Sequence, residues 1–192
     1  MLEINPYAPP SADLSGVPAV GVSADQATPR FFAVSGVKLF LLGLATFGLY
    51  EVYWFYQNWK LVKAREQSDI MPFWRGFFAV FFCRQLAENI ERDCARYDVT
   101  PKNSLTSYAV LWVCLTIGGN IASRLTEGPL WIVALLAVWP LMVIQKTVNE
   151  LNRQAAPHHD PNTRFSVLNI VGIVFGLLLL ALAILGSMMP AQ

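Results

Sequence analysis

Four stretches of the chain are apolar for long enough to cross a bilayer as helices: about 39–59, 105–123, 129–145 and 166–188. At 1.5 Å per residue, a run near 20 residues matches a hydrocarbon core of about 30 Å. The last run is almost purely aliphatic after Asn169, whereas the third is short and holds Pro140, whose missing amide predicts a kink. The first run has two halves. LFLLGLATFGL is lipid-like, but FGLYEVYWFYQNWK, Phe47 to Lys60, is half aromatic and carries Glu51. Tyrosine and tryptophan favour the membrane–water boundary, and lysine reaches past them to water. Tyr53, Trp54, Tyr56, Trp59 and Lys60 are therefore expected as interfacial anchors.

Between the first two runs the rhythm changes. Ser68 or Asp69 is a candidate N-cap, and Pro72 suits the first turn of a helix. PFWRGFFAVFFC then supplies six aromatic rings, yet its uninterrupted apolar core, Gly76 to Cys83, is only eight residues. That is too short to span. From there Phe82, Leu86, Ile90 and Cys94 recur at four-residue spacing on one face, with Arg84, Glu88, Arg92 and Arg96 on another. The pattern predicts an amphipathic helix over about 72–97 lying in the headgroup plane, with Trp74, Arg75 and Arg84 as anchors. Residues 1–30 hold five of the twelve prolines and predict a disordered tail with no secretory signal. The expected architecture is an all-α integral membrane protein, four transmembrane helices plus one interfacial helix, occupying 31–192.

Composition agrees: 55% of the 192 residues are hydrophobic and 14% charged, with a mean hydropathy of +0.43. Soluble domains carry about 25% charged residues. A net charge of +1, locally balanced, leaves no electrostatic footprint for nucleic acid. Lysine and arginine are distributed unevenly. The loop 60–104 carries eight and the loop 145–165 three, against Arg30, Lys38 and Arg124 opposite. Eleven against three places both basic loops in the cytoplasm and both termini outside.

Candidate chemistry is sparse. An ionisable residue within a span is costly and faces a bundle interior, a partner or a pore, which singles out Glu51. Asn120 follows Gly118 and Gly119, and the pairs Gly118/Ala122 and Gly119/Ser123 have the spacing of close helix contacts, across which Asn120 is expected to hydrogen-bond. Gly172 and Gly176 repeat that spacing in the last run. Cys83, Cys94 and Cys114 form no paired motif and are expected to stay reduced. His158, His159 and Asp160 sit in a proline-flanked turn that suits no metal. Cofactor, metal and catalytic signatures are absent from the sequence. The expectation is a non-enzymatic membrane protein that binds lipid or a partner through its interfacial helix. A small oligomeric transporter using Glu51 and Asn120 is the rival reading. Membrane lipid, a second copy or another membrane protein are the expected partners.

The segments FGLYEVYWFYQNWK and MPFWRGFF resemble a family of small bacterial inner-membrane proteins of unassigned activity, marked by YWFY-x-NW followed by PFWR-x-FF. The likeness covers Thr46 to Cys83. It implies residence in a bacterial inner membrane and carries over no catalytic residue.

Overall fold

The computed structural model describes residues 28–125 and 135–188, all helix and connecting loop with no strand among the described residues. Residues 1–27 of the expected tail and 129–134 of the expected third span lie outside them. Seven helices follow in order among the described residues: α1 Gly36–Ala45, α2 Leu49–Glu66, α3 Pro72–Phe77, α4 Ala79–Arg96, α5 Leu105–Leu125, α6 Val138–Ala155 and α7 Val167–Met188.

The expected span 39–59 is not one helix. Ser35 caps α1 by accepting from Lys38 N at 3.2 Å. Ten residues later the chain breaks at Phe47 and Gly48, both left-handed at φ 51° and 88°. Thr46 fastens the corner. Its hydroxyl donates to Leu42 O (2.7 Å) and accepts from Tyr50 N (2.9 Å). Helix α2 then runs back, because Arg65 in its last turn donates to Arg30 O at 2.6 Å, just ahead of α1. The aliphatic half and the aromatic half are the two arms of a hairpin.

The other elements alternate around it. Gly76 of α3 sits against the Tyr56 backbone so closely that an added Cβ would lie 2.9–3.0 Å from it. Phe78 turns the corner into α4, whose Cys83, Leu86, Ala87, Ile90 and Cys94 are buried. The four-residue stripe seen in sequence is real. It faces α5, α2 and α6 instead of headgroups, so α4 is a core helix and the surface element expected over 72–97 is limited to its aromatic start. The carboxylate of Glu91 on α4 caps α5, accepting from Leu105 N (2.6 Å) and Thr106 N (3.2 Å). In α6, Pro140 falls in the first turn. Just ahead of it the helical conformation at Leu135 is interrupted by a turn at Leu136 and Ala137, where Leu136 O accepts from Trp139 N at 3.0 Å. The break expected of this proline is there. Helix α7 packs chiefly on α1, where Gly176 meets the Ala45 carbonyl with no room for a side chain.

Trp54 and Trp59, expected at the headgroup level, lie in the core at 1% exposure with Phe55 between them. The indole of Trp54 explains its place: it donates to Gln145 Oε1 at 2.6 Å. That glutamine begins a stripe of carboxamides. The extended segment ahead of α1 has no ladder to satisfy its backbone, so side chains do so. Asn152 accepts from Phe31 N and donates to Phe31 O, Asn58 accepts from Phe32 N, and Gln145 and Asn149 donate to Phe32 O and Val34 O. At the same end Asp93 is buried and bonded to Arg30 (3.0 Å), Arg65 (3.3 Å) and Arg96 (3.1 Å). The described start of the chain thus shares an end with the basic loops, contrary to the orientation expected from the charge count. Lys38 joins it, donating to Asn162 Oδ1 and Arg164 O. Of the three cations placed opposite, only Arg124 remains there.

Candidate functional site at Glu51

Near the hairpin corner a cavity of about 280 Å³ opens between α1, α2, the α3–α4 corner and α5. Glu51 and Asn120, far apart in sequence, both line it. Glu51 enters the first turn of α2, where the unpaired amides of a helix start favour a carboxylate. It is buried, 6% exposed, and Trp112 of α5 donates its indole N–H to Oε2 at 2.6 Å. The expectation that Glu51 faces protein and accepts from another helix agrees with this geometry. Oε1 accepts no hydrogen bond from a described residue. No lysine or arginine among them pairs with the group.

A second polar atom on the wall lacks a partner. The Thr116 hydroxyl is buried and unbonded among the described residues. Buried polar atoms are almost always paired, so the open Thr116 hydroxyl sets this wall of the cavity apart. Asn120 behaves differently from expectation. It donates back to Thr116 O on its own helix at 2.7 Å instead of bridging to a neighbour. The residue itself is exposed.

The rim is apolar: Phe47, Leu49 and Phe77 are 47%, 73% and 59% exposed. Phe47 reaches this position in a left-handed backbone that costs a bulky residue roughly 1–2 kcal/mol. Strain of that kind concentrates at functional positions. Beyond the rim, Phe73, Trp74, Phe78 and Phe81 continue an exposed aromatic surface. Arg75 lies over the rings of Trp59 and Phe82, at 4.5 and 5.0 Å, so it clamps α3 to the bundle. Arg84 is exposed and paired with Glu88, while Lys60 and Tyr53 are exposed and Tyr56 half-buried.

The small-residue motifs divide. Gly119 is buried and Gly176 is in tight contact, whereas Gly118 and Gly172 have no atom within 4 Å of a built side chain. Ala122 and Ser123 are half-buried on the same helix. All three cysteines are free. Burial pushes the Cys94 thiol up to about 11, with Asp93 and Glu91 adding to the shift, which suits an inert core residue. No cluster that could hold a metal occurs among the described residues.

Two features escaped sequence reasoning. The carboxamides Gln145, Asn149 and Asn152 stand at i, i+4 and i+7, one face of α6, and that spacing was the available signal. In the Asp93 cluster only Arg96, three residues on, was a local signal, since Arg30 and Arg65 come from distant places in the chain. Comparison with protein-family models, curated proteins and solved structures finds no match to this chain.

Proposed function

We propose that the chain is a non-enzymatic membrane protein that takes a ligand from the lipid phase into the Glu51 cavity, with the aromatic α3–α4 corner as its lipid-facing wall. Two helices support membrane residence. Leu105–Leu125 and Val167–Ser187 are each 21 residues, about 31 Å long, and the second is only 6% buried. In this reading α5 and α7 cross the bilayer, α6 completes a return, and the α1–α2 hairpin enters and leaves from the basic, cytoplasmic side. A bacterial inner membrane is the compartment proposed.

One observation carries the ligand-binding reading: a carboxyl with one oxygen held by Trp112 and the other without a partner among the described residues, in a cavity whose rim is exposed aromatic and aliphatic surface. Such a group recognises a hydrogen-bond donor or cation on an otherwise apolar molecule. Native mass spectrometry of protein taken from native-like membranes tests it. A small co-purifying adduct should be present in the parent and lost in Glu51→Leu. Identical adducts in both, or none in either, contradict the proposal.

The second reading, a small oligomeric transporter or channel, gains from Glu51 and Asn120 lining the same cavity. Ion flux in proteoliposomes separates the two. Flux abolished by Glu51→Gln favours transport, and its absence favours binding alone.

A further inference from the structure

A second cavity, about 500 Å³, lies between the α4–α5 connection and the outer face of α6. Its walls are of two kinds. Towards the basic end stand Lys102, Lys146 and Arg153, together with Glu150. Arg153 is paired with Glu150, while Lys102 and Lys146 make no ion pair among the described residues, so two positive charges are left uncompensated. Towards the other end the lining is Met142, Val143 and Trp139. Trp139 is 51% exposed and meets the edge of Tyr108, with ring centres 6.0 Å apart.

The two kinds of lining are stacked along α6. Trp139 and Lys146 are seven residues apart, roughly 10 Å of helix rise, or about two turns. An amphipathic indole below and ammonium groups one headgroup's height above are the arrangement found where hydrocarbon gives way to water. Basic pockets at that level recognise acidic lipid headgroups.

We infer that this groove binds an anionic phospholipid, its phosphate held between Lys102 and Lys146 and its acyl chains lying on Val143, Met142 and Trp139. Charge selects the class. A zwitterionic headgroup brings its own ammonium towards two lysines and is repelled, whereas a singly anionic one offsets one of the two charges and adds none. The inference rests on the membrane reading above but is independent of the Glu51 cavity, which lies at the hairpin corner. Both lysines are exposed, so removing them leaves the core untouched.

The test is retention of lipid by the full chain, purified in a non-ionic detergent and exposed to equal phosphatidylglycerol and phosphatidylcholine. Native mass spectrometry then counts what stays bound. At about fivefold per lysine near an acidic lipid, the parent should prefer phosphatidylglycerol about 25-fold. Lys102→Gln with Lys146→Gln should abolish the preference, and Lys63→Gln on α2 should leave it intact. Added inorganic phosphate should not displace the lipid; displacement would assign the site to free phosphate and overturn the lipid. Equal retention of the two lipids by a detergent-requiring parent overturns the groove while sparing the membrane reading. A parent that stays monodisperse without detergent and retains no lipid overturns both.

Discussion

Helices α2 and α7 are similar in length, 18 and 22 residues, and the apolar pattern places the first part of α2, up to Trp59, and all of α7 in expected spans. Their surroundings are opposite. The side chains of Trp54, Phe55, Asn58 and Trp59 on α2 are enclosed by protein, while α7 exposes Val171, Val174, Leu178 and Leu182 by more than half. The reason lies in the polar atoms each carries. The Trp54 indole N–H, the Asn58 carboxamide and the Glu51 carboxylate need partners when withdrawn from water, and Gln145, Phe32 and Trp112 on other elements supply them. The Trp59 indole N–H is buried without one among the described residues. A helix of Leu, Ile, Val and Gly has nothing to satisfy beyond its own backbone, so lipid can cover it on every side. Hydropathy averages hide this distinction.

The largest expected effect separates the two helices directly. Trp54→Ala should cost about 3–5 kcal/mol of unfolding free energy in detergent, from the lost ring and the cavity it leaves. Leu178→Ala on α7 should stay within about 0.5 kcal/mol. Similar losses at both sites would erase the contrast between an enclosed and an exposed helix.

Asp93→Ala comes next, because it leaves three arginines facing one another at the basic end of α2. Breaking a buried pair costs about 3–5 kcal/mol, and Arg30 and Arg65 retain some solvent, so about 3 kcal/mol is expected. Denaturant unfolding at low and high salt measures it. A loss below 1 kcal/mol would mean that the cluster adds little to closing the hairpin end.

Within α7 a finer contrast is available. Gly176→Val should cost about 1–3 kcal/mol by driving a side chain into the Ala45 carbonyl, while Gly172→Val should be neutral. Thermal unfolding of the two variants decides. Equal effects would show that α7 touches α1 elsewhere, or not at all.

The extents of α5 and α7 and the four-residue stripe of α4 were legible because each is a single uninterrupted pattern, although the core location of α4 was not. The hairpin was not. Phe47–Gly48 reads as two more apolar residues, and nothing local reports a reversal whose cause is the meeting of Arg65 with the Arg30 backbone. Glu51 was legible as an anomaly, since a carboxylate among seven aromatic rings demands an explanation. Its cavity was not legible, because Thr116 and Asn120 arrive from a helix more than sixty residues away. The aromatic crowding itself was misleading: Tyr53 and Trp74 face outward as a belt residue does, but Trp54 and Trp59 face inward.

At the smallest scale, Glu51→Leu should lose about 1–3 kcal/mol by stranding the Trp112 indole, whereas Glu51→Gln should lose less. The Trp112 indole proton resonance should shift upfield in the Leu variant. An unmoved resonance with unchanged stability would show that the bond does not form.

The hairpin is the central claim, and sidedness tests it most directly. Single cysteines at Thr28, Lys63 and Ser187, in a cysteine-free background, should divide in one way. Thr28 and Lys63 should react together, only once the cytoplasmic face is opened, and Ser187 should react from the opposite side in intact spheroplasts. Thr28 reacting alongside Ser187, with Lys63 alone on the other face, would restore a continuous span over 39–59 and contradict the hairpin.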